Sequence, residues 1–352
     1  MDTSLDGHKV LILLQYEPNL PFINSLRTSH PGLQVIWHNI NDPNAKLPPN
    51  ALETVTVLCT FQQLPTIDEA PRVQLVQLVS SGANHCYENS LYKSPNVQFC
   101  TANGIHPPQI TEWVFATFLN FQHNLSRYTE AMKIGNWDDS GPTSIEDSVG
   151  LRIGVLGYGA IGRQCARVAK AFGMDVIAYT MRERSTPKAR LDDSYRVADT
   201  GDPEGLLPSK WFHGTGNKDL NNFLSQDIDL LVICLPLTPL TTHMIAKEQF
   251  QILSKKRTFL SNIGRGPIVK TPDLIDALER GLIRGAALDV TDPEPLPKDH
   301  PLWKAPNIFI SPHISWYSKH HVRRCLEVLA LNLHRLSEGK KFVNKVDKVH
   351  GF

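Results

Sequence analysis

A chain of 352 residues, 41% hydrophobic and 20% charged, has room for about two domains, each with its own buried core. Its formal charge of +1 leaves no basic surface for nucleic acid or anionic lipid. No apolar run approaches a membrane span, and acidic Asp2 and Asp6 stand where a secretory or transit leader would be cationic, so a cytoplasmic protein is expected.

The first apolar run, Lys9 to Leu14, reads as a strand. QVIWHNI from Gln34, TVTVLCT from Thr54, RVQLVQLV from Arg72 and VQFCT from Val97 follow it, separated by helical stretches. Such alternation predicts a parallel sheet covered on both faces. Between the fourth and fifth runs lies LVSSGAN, with Ser80, Ser81, Gly82 and Ala83; on its own it reads as an ordinary glycine turn. His106, beside Pro107, precedes an amphipathic segment running from Pro108 to Met132, in which Trp113, Phe115 and Phe118 read as core.

After Gly150 a second alternating series begins at Leu151–Leu156 and continues through Met174–Tyr179, LLVICLP, TFLSNI, GAALDV and IFISP. The last helical stretch, His320 to Gly339, comes after this second sheet is complete and is expected to fold back onto the first unit. The chain therefore reads as two doubly wound parallel-sheet α/β domains, one inserted into the other. The outer, flavodoxin-like domain takes residues 1–122 and 316–352, and a Rossmann domain takes 123–315. The stretch from Glu183 to Asp219, rich in Gly, Pro and Asp, is too long for an ordinary connection, although Trp211 and Phe212 imply that part of it packs down.

The second series opens on Gly157-Tyr158-Gly159-Ala160-Ile161-Gly162, placed between a strand and an amphipathic stretch, Arg163–Phe172. That context makes the glycines a dinucleotide-binding turn: Gly157 for the tight bend, Gly159 for close approach of a pyrophosphate, Gly162 for helix–strand packing. The next strand ends at Thr180, where an NAD-selective site carries a carboxylate for the ribose hydroxyls. Arg182 and Arg184 follow and suit a ribose phosphate, so NADP(H) is expected over NAD(H), with Glu183 as the ribose ligand in the alternative.

Three polar residues end successive strands of the second series: Arg265 in SNIGRGPIV, Glu294 in LDVTDPEPLP and His313 in FISPHISW. A guanidinium grips a carboxylate, an imidazole exchanges a proton near neutral pH, and a carboxylate beside it favours its charged form. Behind a dinucleotide fold the three point to hydride transfer coupled to proton transfer. Cys59, Cys86, Cys100, Cys165, Cys234 and Cys325 are scattered, without a C-x-x-C pair or a His at zinc spacing, which predicts reduced thiols and no metal.

In GYGAIG, the N-x-x-R-G of Asn262–Gly266, the LDV-x-x-x-EP of Leu288–Pro295 and the PHIS of Pro312–Ser315, taken in order, the chain resembles the D-isomer-specific 2-hydroxyacid dehydrogenase family. LPLTPLTTHMI from Leu235 and HPLWKAPNIFISPHI from His300 extend the match over nearly the whole chain. The resemblance implies that Arg265 binds the substrate carboxylate and carbonyl, that His313 is the acid/base and that Glu294 orients and charges it. It implies that Ser80, Ser81, Gly82 and Ala83 offer amides to the substrate carboxylate, and it puts His106 near the substrate. Leu235, Pro236 and Thr238 would border the adenine, Asn262 and Ile263 would line the cofactor, and Asp289 would take the nicotinamide amide. Glu294, where the formate dehydrogenase branch has Gln, implies the hydroxyacid branch.

Thr180 followed by arginine is similar to the glyoxylate and hydroxypyruvate reductase branch, whereas Trp316 stands where many members have Gly or Ala. The 183–219 insertion resembles that of longer fungal homologues. The expected activity is reduction of a 2-keto acid to the D-2-hydroxy acid with NADPH, in a homodimer. Glyoxylate or hydroxypyruvate comes first as substrate and a bulkier 2-keto acid second. The alternative is a nucleotide-sensing corepressor or scaffold like the C-terminal-binding-protein branch, which retains the same Arg, Glu and His.

Overall fold

The computed structural model describes residues 5–141 and 145–348. They fall into two compact units, Met1–Ile105 with Ser194–Arg196 and Lys319–Phe352, and His106–Asp193 with Val197–Ser318.

The first unit is built on β1 (Lys9–Leu14), β2 (Gln34–Asn39), β3 (Val57–Thr60), β4 (Leu75–Leu78) and β5 (Gln98–Cys100), all parallel in the order β2-β1-β3-β4-β5. Val10 and Ile12 face one core layer with Val328, Leu329 and Leu333 of the helix His321–Ser337, whereas Leu11 and Leu13 face another with Leu58 and Val76. Burial on both faces is why these strands read as unbroken apolar runs. The terminal helix belongs to this unit, held also by buried Asn332, whose side chain donates to Gln77 at 2.8 Å and accepts from the Val343 amide at 2.9 Å.

The second unit contains β6 (Arg152–Leu156), β7 (Asp175–Thr180), β8 (Lys210–His213), β9 (Leu230–Ile233), β10 (Phe259–Asn262), β11 (Gly285–Leu288) and β12 (Ile308–Ile310). They form one parallel sheet in the order β12-β11-β10-β9-β6-β7-β8. The helix Pro107–Gln122 packs into this unit rather than the first: Val114, Phe115 and Phe118 join a core with Ile153, Val155 and Val176, and Phe118 meets Phe259 edge-on at 5.7 Å. The division therefore falls after Ile105 and Ser318, not after 122 and 315.

The expected helix 108–132 is two helices, Pro107–Gln122 and Leu125–Lys133, broken where Asn124 takes φ of 55°. The second buries none of its residues, and Leu125, Met132, Ile134 and Trp137 are exposed along it and the segment that follows. The 183–219 stretch is also more ordered than a loop, holding a short helix, Pro187–Arg190, and the edge strand β8.

Candidate active site

The glycine turn lies between β6 and the helix Ala160–Ala171. Gly157 has φ of +105°, open to glycine at little cost, and its amide donates to the Tyr179 carbonyl at 3.0 Å. A Cβ on Gly162 would stand 2.2 Å from the Gly157 carbonyl oxygen, so the helix approaches the turn closely only with glycine there. Gly159 is different. It is extended and exposed, and a Cβ on it would meet no protein atom within 4 Å. As the N-cap residue it has no side chain to satisfy the first amides of the helix, beyond which Ala160 and Ile161 are half-buried. Space over a glycine, beside an uncapped helix start, fits the pyrophosphate of a dinucleotide.

Tyr158, between the first two glycines, points the other way. It is buried, and its hydroxyl donates to Asp202 at 2.7 Å; burial first, and then this bond, raises its pKa. Asp202 also accepts from the Leu206 and Leu207 amides, at 3.0 and 3.1 Å. Arg163, 4% exposed, donates to the carbonyls of Asp202 and Arg190 and pairs with Asp192 at 3.5 Å. Trp211 of β8 lies edge-on to Tyr158 at 4.9 Å. Sequence reasoning missed this network, which ties the 183–219 segment to the glycine turn.

At the end of β7 the Thr180 hydroxyl donates to the Arg182 carbonyl at 2.7 Å. The Arg182 side chain is exposed, whereas that of Arg184 is half-buried and donates to the Ala189 carbonyl. Glu183 is exposed between them. After β9, Leu235 and Thr238 are half-buried and Pro236 is exposed, in a turn closed by Thr241, whose hydroxyl donates to the Pro236 carbonyl and accepts from the Thr238 amide, both at 2.8 Å.

The three candidate catalytic residues are all in this unit. Asn262, 1% exposed at the end of β10, accepts from the Gly264 amide at 3.1 Å and donates to the Arg265 carbonyl at 3.0 Å. It shapes the turn that presents Arg265, with Ile263 buried beneath. A Cβ on Gly266 would fall 1.9 Å from the Thr291 carbonyl oxygen, which fixes the Arg-Gly pair against the segment leading to Glu294. The Arg265 guanidinium donates to the Gly264 carbonyl at 2.7 Å and keeps donors to spare. Burial lowers its pKa and nearby Glu294 opposes the shift, leaving a cation.

His313 Nδ1 is 2.6 Å from Glu294 Oε1, with both side chains about 40% exposed. A carboxylate on Nδ1 fixes the ring's tautomer and leaves Nε2 to exchange a proton. His313 itself is held at φ of +54°. Asp289, at the end of β11, is 2% exposed, and the two oxygens of its carboxylate accept from the loop on either side of His313.

His106 caps the start of Pro107–Gln122; it is 6% exposed, with its ring edge-on to Trp316 at 6.2 Å. Gln109 donates to the Trp316 carbonyl at 2.9 Å. Ser80, Ser81, Gly82 and Ala83 lie in the first unit, just past the carboxyl end of β4, where the Ser80 hydroxyl donates to the Gly82 carbonyl at 2.7 Å. The six cysteines are free thiols, and burial pushes Cys59, Cys86 and Cys100 up to about 12. Among the described residues no His, Cys, Asp and Glu cluster has a metal-binding arrangement, and no helix is long and apolar enough to cross a membrane.

A parallel sheet with an uncapped glycine turn on one strand, and a cation, a carboxylate and an imidazole at the ends of others, defines a nicotinamide-dependent oxidoreductase. The NAD-binding domain of the D-isomer specific 2-hydroxyacid dehydrogenases matches residues 115–202 and 208–315, more than half of the chain. The chain belongs to that family. It is 27% identical over 317 residues to a glyoxylate reductase of Thermofilum pendens, covering 88% of this chain and 83% of the relative. It is 28% identical over 263 residues to the human glyoxylate reductase/hydroxypyruvate reductase, covering 74% and 72%. A D-isomer specific 2-hydroxyacid dehydrogenase structure from Xanthobacter autotrophicus, in complex with NADPH and MES, superposes with a TM-score of 0.75 at 25% identity, covering 99% of this chain and all of the other. The protein is thus an enzyme acting on 2-hydroxy and 2-keto acids with a nicotinamide dinucleotide.

Proposed function

We propose that the enzyme works as an NADPH-dependent reductase producing D-2-hydroxy acids, with glyoxylate or hydroxypyruvate as first substrates and a bulkier 2-keto acid next. The observation that carries this is the 2.6 Å His313–Glu294 pair at the strand ends that also present Arg265. The bound dinucleotide supplies the hydride. Arg265 holds the carboxylate and stabilises the oxygen that gains charge, and His313, its Nδ1 held by Glu294, gives its Nε2 proton to that oxygen. Beside Arg265 in the same unit, His106 with Trp316 is proposed to bound the acyl group.

Thr180 offers no carboxylate to a ribose, and exposed Arg182 with Arg184 suits its phosphate, which supports NADPH over NADH. The exposed face formed by Leu125, Met132, Ile134 and Trp137 supports a homodimer, and the buried free thiols support the cytoplasm. The relatives are named as reductases, which favours the enzyme over a corepressor. Cofactor oxidation with a panel of 2-keto acids is the test: turnover with NADPH is expected, and none with any acid sinks the proposal. Arg182→Ala with Arg184→Ala should weaken NADPH far more than NADH; equal loss of both would hand the ribose to Glu183.

A further inference from the structure

We infer that His213, at the end of the edge strand β8, is a further ligand of the cofactor's ribose phosphate and helps the enzyme choose NADPH over NADH. The inference deepens the cofactor preference proposed above and rests on it. Thr180 ends β7 where a carboxylate would take the ribose hydroxyls of NADH, so a phosphate esterified to one of them belongs beside Thr180. β8 is the outer neighbour of β7, and Thr180 is in register with His213. Paired strands run about 4.8 Å apart. His213 therefore flanks the position that Thr180 leaves to the phosphate.

The preceding residues fix the face. Tyr179 and Phe212, in register, both pack with Phe223 of the helix Asn217–Leu224, whereas Ala178 and Trp211, also in register, pack with Cys165 of the glycine-turn helix. Side chains alternate along a strand, so Thr180 and His213 both emerge on the glycine-turn side. His213 is exposed there, and the Gly214 amide donates to the Thr180 carbonyl at 3.2 Å, which ties the end of β8 to its partner.

The surrounding charges suit an anion. Arg182 and Arg184 follow β7, and the Arg190 guanidinium lies 5.6 Å over the Trp211 ring. Asp192 pairs with Arg163 and Asp202 accepts from Tyr158, so these carboxylates are already matched. Lys218 and Asp219 belong to the helix that covers the opposite face. Exposed Glu183, beside Arg182, is the competing acid. Arg184 is drawn into the 183–219 segment by its bond to the Ala189 carbonyl, which leaves much of the phosphate to Arg182. A phosphate monoester carries about two charges and three strong acceptor oxygens near neutral pH. An imidazolium N–H beside Arg182 meets the remainder.

The test titrates NADPH and NADH separately by cofactor fluorescence, without substrate, at about pH 6 and about pH 8.5, because imidazole gains and loses its charge between roughly pH 5 and 8. The ribose phosphate itself titrates near about pH 6, so each variant is compared with the unmodified protein at the same pH. His213→Gln should weaken NADPH about fivefold at the lower pH, the scale of an exposed charge pair, and far less at the higher. NADH affinity should stay in place at both. His213→Lys, charged throughout, should bind NADPH more tightly than the unmodified protein at the higher pH. Equal weakening of NADPH and NADH by His213→Gln would reduce the histidine to a structural part of the strand end, and no weakening at the lower pH would leave it a solvated side chain; either result overturns the inference. Arg182→Ala with Arg184→Ala separates the two layers. If that double variant loses the preference for NADPH while His213→Gln keeps it in full, only the role of His213 falls. If the unmodified protein binds NADH as tightly as NADPH, the cofactor preference falls and the inference with it.

Discussion

Both sheets reverse their strand order beside their first strand, and the helices that leave these switch points are finished in opposite ways. In the first sheet β1 lies between β2 and β3 and leads into the helix Leu20–Ser29; in the second β6 lies between β7 and β9 and leads into Ala160–Ala171. Ligands of open parallel sheets gather at such reversals. At the first, Asn19 accepts the Phe22 amide at 3.0 Å, and Pro21 has no amide to offer. At the second, Gly159 has no side chain and leaves the first amides open. Topology supplies the crevice twice, and the residue at one N-cap decides which helix start can take an anion.

The contrast can be broken at the strand ends or at the helix starts. His313→Ala should have the largest effect, a loss of reduction of about 10²–10⁴-fold with cofactor affinity nearly intact. Unchanged turnover would mean the proton comes from elsewhere. Arg265→Ala should raise KM and lower kcat together, worth ~3 kcal/mol in the transition state, and unaltered kinetics in the folded variant would remove Arg265 from the site. Gly159→Val should weaken cofactor binding by about an order of magnitude or more, because the side chain fills the space over the open amides, while costing no more than about 1 kcal/mol of stability at this N-cap, where a Cβ meets no atom within 4 Å. A variant with normal cofactor affinity would place the pyrophosphate elsewhere. Glu294→Ala removes the group that holds Nδ1 of His313, so kcat should fall with cofactor affinity unchanged; an unaltered kcat would show that the ring is oriented by other contacts. Asn19→Ala, the smallest change, should cost about 1 kcal/mol of stability without touching cofactor affinity.

Much of this was legible in the sequence, because the demands that shape the fold are local. Strands buried on both faces must be apolar throughout, so β1 and β6 stand out, and Gly157 and Gly162 are set by their own turn and helix. Arg265, Glu294 and His313 could be placed because strand ends in a parallel sheet converge whatever their spacing in the chain. The misses have physical causes as well. The apolar spacing runs on through Leu125 and Met132, although nothing in the unit covers them, so the break at Asn124 left no trace in the pattern. β8 is a four-residue edge strand with exposed ends and shows no apolar run. The hydrogen bonds from the His313 loop to Asp289 did leave a signal, serines at 311 and 315 spaced about the histidine beyond a strand-end Asp, but serines near a turn have too many other uses to identify them.

The buried Arg163 makes the 183–219 segment and the nucleotide-binding helix depend on each other. Shortening the 183–219 segment would strip the guanidinium of Asp192 and of the Asp202 and Arg190 carbonyls while leaving it in the interior, and an orphaned buried charge costs about 3–5 kcal/mol. Tyr158 would lose its acceptor in the same stroke. The 183–219 segment is therefore coupled to Tyr158 of the turn and Arg163 of the helix behind it: a shortened chain keeps its stability only if Arg163 and Tyr158 are replaced in the same step.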